Sequence, residues 1–206
     1  MNEDVDEQPQ VRTVRGESYR DAVFTGEHWA HWQFEQCDFT DADLRGLHTN
    51  QVIFQDCDFT KADLGESRHR ASAFRSCTFD YAVLGNSHFE GCSLLGSTFT
   101  GRRMRPWTVR DCDLTLVSLS RCELRKADLS SLRLREANLV EADLREADLR
   151  QTDLTGARLT ATRLDDADLR GARLDATALR QAVLTGARID IDMAVSFAAA
   201  HGLRVG

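Results

Sequence analysis

The sequence predicts an all-β solenoid, a four-sided parallel β-helix wound from five-residue repeats and finished by a short C-terminal α-helix. Three observations carry this. Apolar residues recur at every fifth position, aromatic residues recur at every twentieth, and the pattern stops at Ile189, where a stretch of helical character begins.

The period of five comes first. Counting by fives from Phe24 to Ile189 gives 34 positions, of which 32 are apolar; Thr49 and His69 are the exceptions. Nine of the ten phenylalanines fall on this register. A period of five matches neither the 3.6 of a helix nor the 2.0 of a half-buried strand, so neither element explains it alone. A second register, two residues earlier, is mostly small: Cys37, Ala42, Cys57, Ala62, Ser67, Ser72, Cys77, and later Ala137, Ala142 and Ala147. The other positions are polar or charged, as in EADLREADLRQTDL.

The period of twenty sets the cross-section. Phe39, Phe59, Phe79 and Phe99 lie twenty apart, as do Phe34, Phe54 and Phe74. A chain that turns a corner every five residues returns above itself after four corners. About eight such coils, at the ~4.8 Å spacing of paired strands, make a rod of roughly 40 Å.

Three regions follow. Residues 1–20 read as an acidic, disordered extension, 21–190 as the β-helix, and 191–206 as a C-terminal helix, end cap and dimer contact. Asp190 or Asp192 suits the helix start, and Gly202 its end. Met193, Ala194, Val195, Phe197, Ala198 and Leu203 give this tail more apolar surface than solvent tolerates. Some of them are expected to close the open solenoid and the remainder to join two chains end to end, with capping alone as the alternative. The most irregular stretch, TGRRMRPWTVRD, is expected to bend the rod near Pro106.

No catalytic motif is present: GxxxxGK, GxGxxG, HExxH and CxxC are all missing. The repeated FEQCDFTDADL, FQDCDFTKADL and FRSCTFDYAVL look like ligand spacing. However, Cys37, Cys57, Cys77, Cys92, Cys112 and Cys122 all sit on the small inward register, as buried thiols interchangeable with alanine or serine. His28, His48 and His88 share an outward face with Arg68, and no acid or thiolate completes a metal site there. Thr49 and His69, inward and one coil apart, are expected to satisfy each other or a backbone group inside the column. The reading is a non-enzymatic protein with no catalytic residue, metal or cofactor.

Formal net charge is −7, which argues against direct nucleic-acid binding through a basic surface. Residues 1–100 carry 8 Lys/Arg against 17 Asp/Glu, so the acid is concentrated in the first half. No apolar run approaches a membrane span, and no secretory leader is evident; a cytoplasmic location is expected. Outward acids stack along the N-terminal arm: Glu35, Asp38, Asp41, Asp43, Asp56, Asp58, Asp63 and Glu66. A rod about 20–25 Å across has the girth of a DNA duplex. With one phosphate charge per ~1.7 Å of duplex, the match in charge is partial and local. From charge alone, solvated polar positions of any such solenoid are the simpler account.

CDFTDADLRGLHT, CDFTKADLGESRHRASAFRSCTF, SLLGSTF, the Arg-Pro at 105–106, LDDADLRGA and GARIDIDMAVSFAAAHGL resemble the mycobacterial fluoroquinolone-resistance pentapeptide-repeat proteins, from about Trp32 to Gly202. The resemblance implies a right-handed quadrilateral β-helix, dimeric through its C-terminal ends. It also implies a DNA-like rod that binds DNA gyrase, inhibiting it or shielding it from quinolones. The chain departs from that pattern in its acidic extension and in residues 101–140, where nine Lys/Arg face five Asp/Glu. The acidic contact surface is therefore expected on the N-terminal arm. The alternative reading is an interaction scaffold for a different partner.

Overall fold

The structure, a computed structural model, describes residues 11–101 and 107–204. The chain winds as a parallel solenoid in which each residue pairs with the one twenty further on, from Arg12↔Trp32 to Asp168↔Arg188. Two of the four sides carry short strands. One is the sheet of β1 (Arg12–Arg15), β3 (Trp32–Glu35), β5 (Ile53–Gln55) and β7 (Ala73–Arg75). The other is the sheet of β2 (His28–Ala30), β4 (His48–Asn50), β6 (Arg68–Arg70), β8 (His88–Glu90) and β9 (Thr108–Arg110). The remaining two sides are held by single-residue bridges such as Asp38↔Asp58 and Asp43↔Asp63.

Among the described residues, the corners outside the α1 region are made by a residue in the left-handed region, including Asp21 (φ 54°), Asp41 (58°), Lys61 (58°) and Leu116 (61°). A positive φ at the second central residue is what a type II turn requires. The corner is therefore imposed by backbone geometry even where glycine is not used.

The core is a narrow column. Phe39, Phe59, Phe79 and Phe99 stack at 5.0, 5.0 and 4.7 Å with nearly parallel rings. Phe34, Phe54 and Phe74 form a second stack at 5.2 and 4.8 Å. The two columns meet edge to face, for example Phe54 against Phe59 at 5.3 Å, the geometry aromatic quadrupoles favour. Beyond Phe99, Leu114 to Leu169 continue the column, every member at most 3% exposed.

Two expectations are amended. The N-terminal extension is shorter than residues 1–20, because β1 pairs with β3 and Tyr19 stacks on Phe39 at 5.0 Å; residues 1–10 lie outside the described residues. The five-residue rhythm is locally broken at α1 (Ala176–Leu179), where one helical turn exposes Thr177 and packs Ala178 on the core instead. Ala161 N–H consequently bonds Gln181 O, one residue later than the pattern elsewhere, and the Arg163↔Val183 bridge restores the register. The bend expected near Pro106 lies outside the described residues.

The C-terminal helix α2 (Ile191–Ala200) has both expected caps. Asp190 accepts from Met193 N–H at 2.9 Å and, with its other oxygen, from Gly171 N–H at 2.9 Å, which ties the helix to the last coils. At the far end, Gly202 N–H bonds Ala199 O and Leu203 N–H bonds Ala198 O, with Gly202 at φ 80°. That is a Schellman ending. Met193 and Phe197, one turn apart, pack on the core. No described helix is long and apolar enough to cross a membrane.

Candidate partner-binding surface

The eight sequence-predicted acids occupy three of the four sides, and the structure divides them into two kinds. Asp38, Asp43, Asp58 and Asp63 each directly precede an inward core residue. Their carboxylates turn back onto the backbone two residues on: Thr40 N–H at 2.9 Å, Arg45 N–H at 3.2 Å, Thr60 N–H at 2.8 Å and Gly65 N–H at 2.9 Å. This is the Asx-turn use of aspartate. The residue type is therefore demanded by the coil as much as by any partner.

Four of the eight also lie within salt-bridge distance of an arginine, with Arg45 shared between Asp43 and Asp63. Glu35 pairs with Arg15 (2.7 Å), Asp38 with Arg20 (3.2 Å) and Asp43 with Arg45 (2.6 Å), while Asp63 lies 3.9 Å from Arg45. The Arg45 guanidinium holds the Asp43 carboxyl down at about 2. Among the described residues, Asp41, Asp56, Asp58 and Glu66 have no such cation. Asp41, Asp56 and Glu66 are exposed, and Asp58 is half-buried with Thr60 as its partner. These four project net negative charge.

Arginine neutralisation recurs down the rod and has a readable signal. In the triplet Asp-Leu-Arg the leucine points inward, so its neighbours both point outward and meet. Asp143–Arg145, Asp148–Arg150 and Asp168–Arg170 close at 2.5, 2.5 and 2.6 Å. Three of the 16 acids of residues 101–206 are cancelled in place by this triplet.

The fourth side is of the opposite character. His28, His48, Arg68 and His88 form one outward row and Asn50, Arg70, Glu90 and Arg110 another, flanking a groove of about 600 Å³. His28 and His48 stack at 4.5 Å. Among the described residues no group of three or more His, Cys, Asp or Glu could hold a metal. Beneath this side, Thr49 and His69 do bond each other, at 2.9 Å. All six cysteines are free and buried, and the Cys122 thiol is pushed up to about 12 by burial.

At the C-terminal end, Ile191, Ala194, Val195 and Leu203 are exposed and Ala198 is half-buried, whereas Met193 and Phe197 are committed to the cap.

The twenty-residue register, the inward column and the outward Asx turns have counterparts elsewhere. The family described as pentapeptide repeat region matches residues 82–159, and pentapeptide repeats (8 copies) match 33–68 and 162–190. The chain belongs to the pentapeptide-repeat proteins. No curated protein matches it significantly. Full-length QnrB1, a plasmid-mediated fluoroquinolone resistance protein, superposes with TM-score 0.83 at 21% identity, over 94% of this pentapeptide-repeat protein and 99% of that chain. Two trypsin-treated variants of QnrB1 superpose with TM-scores of 0.63 and 0.66 at 23% and 22% identity, each over 96% of this chain and over 99% and 98% of theirs. At such identities the likeness is one of fold.

Proposed function

We propose that this pentapeptide-repeat protein is a non-enzymatic, partial DNA mimic that binds DNA gyrase and inhibits it or protects it from fluoroquinolones. The observation that carries the reading is the patch of Asp41, Asp56, Asp58 and Glu66, acids without a cationic partner among the described residues, on adjacent sides of a rigid rod about 40 Å long. Such a patch suits a basic surface that normally holds a DNA segment, by charge complementarity that steers encounter and register. Support from outside the chain is the resemblance of its non-repeat motifs to the mycobacterial protein MfpA, and the fold shared with QnrB1. The proposed working unit is a homodimer joined at the exposed Val195 and Leu203 end, acting in the cytoplasm without cofactor, nucleic acid or membrane.

The test is supercoiling by purified cognate gyrase, titrated with this protein in the presence and absence of a quinolone. The D41N/D56N/D58N/E66Q variant is expected to lose inhibition and protection while keeping its melting temperature. Full activity in that variant would move the contact elsewhere on the rod. No effect of the native protein on gyrase would favour the second reading, a scaffold for another partner.

A further inference from the structure

The groove on the fourth side stands out from the acidic sides of the N-terminal arm. We infer that it is a binding site for an extended oligophosphate anion, a chain of phosphates rather than a single one. It is the outer face of the five-stranded sheet. In each strand the middle residue points inward and its two neighbours point outward, so two parallel rows of side chains flank a channel along the rod.

Those rows are rich in donors suited to phosphate. Arg68 stands between His48 and His88 in one row, while Arg70 and Arg110 bracket Glu90 in the other. Guanidinium groups bind phosphate oxygens in a fixed bidentate fork, and imidazole N–H groups add single bonds. Of the 21 arginines among the described residues, 11 lie within salt-bridge distance of a carboxylate. Among the described residues, Arg68, Arg70 and Arg110 have no carboxylate within salt-bridge distance, unlike Arg45, Arg145, Arg150 and Arg170. Arg70 and Arg110 are two coils apart, about 10 Å at strand spacing, a separation that a chain of phosphates matches with each guanidinium in its own row, whereas one orthophosphate would have to draw both side chains together. Glu90 opposes an anion from the middle of its row and limits the affinity.

Isothermal titration of the full-length protein with sodium tripolyphosphate at low salt tests this. Saturable binding, one per chain, is expected, with at least tenfold weaker binding of inorganic orthophosphate. R68Q/R110Q is expected to weaken tripolyphosphate at least tenfold, while R125Q, on another side of the rod, leaves it unchanged. E90Q is expected to tighten it several-fold, a gain that damage to the fold would not produce. Equal affinity for orthophosphate, retained binding in R68Q/R110Q, no response to E90Q, or binding of a short DNA duplex without binding of tripolyphosphate would each overturn the assignment.

Discussion

Thr49 Oγ1 lies 2.9 Å from Nδ1 of His69, one coil above it, on an inward register that is otherwise apolar. The other imidazole nitrogen lies 2.9 Å from Ser67 Oγ, and Thr49 Oγ1 also meets Ser72 Oγ at 2.9 Å. Ser72 in turn donates to Arg70 O and accepts from Val52 N–H. The two polar interruptions of the core register are therefore one closed network. Its members are buried and hydrogen-bonded, which is the condition for tolerating them there.

The network makes stability sensitive to acid. Burial, with a smaller contribution from His48, pushes the His69 pKa down to about 3. Between the ordinary 6.5 and about 3, the unfolded chain takes up a proton that the folded chain refuses. Acidification through that window therefore favours unfolding, and the gap corresponds to at most roughly 5 kcal/mol. Denaturant unfolding from pH 7 to pH 3.5 measures it. His69→Phe, whose ring would stack on Phe89 where His69 now sits at 4.6 Å, is expected to lose less stability with acid than the native protein. Surface carboxylates titrate in both, so parallel curves for the two proteins would refute the burial argument.

The Asx turns predict a difference between two substitutions at one site. Asp58 Oδ1 accepts from Thr60 N–H at 2.8 Å and from Thr60 Oγ1 at 2.6 Å. An asparagine would keep a carbonyl oxygen at that place, so Asp58→Asn is expected to leave stability within about 0.5 kcal/mol, whereas Asp58→Ala removes the acceptor and is expected to cost about 1 kcal/mol. Thermal melts of the two variants check this. Similar losses for both would mean that charge, rather than turn geometry, fixes the residue.

The cysteine ladder predicts chemical silence. Cys37, Cys57 and Cys77 donate to Val14 O, Phe34 O and Phe54 O of the preceding coil at 3.5–3.8 Å, and none is more than 2% exposed. Burial raises the Cys77 thiol well above its ordinary range, and the thiolate is the reactive form. The native protein is expected to give no fast reaction with an aromatic disulfide reagent, and all six thiols are expected to react once it is unfolded in guanidinium. Rapid labelling of any of the six in the native state would show that the column opens.

The solenoid was legible in the sequence because one column of side chains repeats without slipping. Nearly every inward position, from Phe34 to Leu169, is where counting by fives puts it. The one-turn helix at Ala176–Leu179 was not legible, since Leu174, Leu179 and Leu184 keep their spacing across it. The candidate surface was legible only in part. Outward positions were countable, but the loss of Asp43 to Arg45 depends on two side chains flanking the same inward residue. The Asp-Leu-Arg triplet encodes that pairing once the direction of each residue is considered. The row of His28, His48, Arg68 and His88 was countable, but that a second row with Arg70 and Arg110 flanks it across a groove came from the sheet itself.

The C-terminal helix separates folding from assembly. Phe197 and Met193 lie against the core, so Phe197→Ala is expected to cost about 2 kcal/mol, less than for a fully enclosed aromatic because the ring is only half-buried. Val195 and Leu203 are 43% and 64% exposed, and neither is among the residues packed on the core. Val195→Asp/Leu203→Asp is therefore expected to leave the melting temperature of the solenoid nearly unchanged. If the apolar end joins two chains, light scattering will show the native mass of a dimer falling to that of one chain in this variant. A native protein that is already monomeric would leave α2 as a cap alone. A variant that stays dimeric would place the contact on the sides of the rod, where the Asp41 and Glu66 patch would then have to be shared with a second copy.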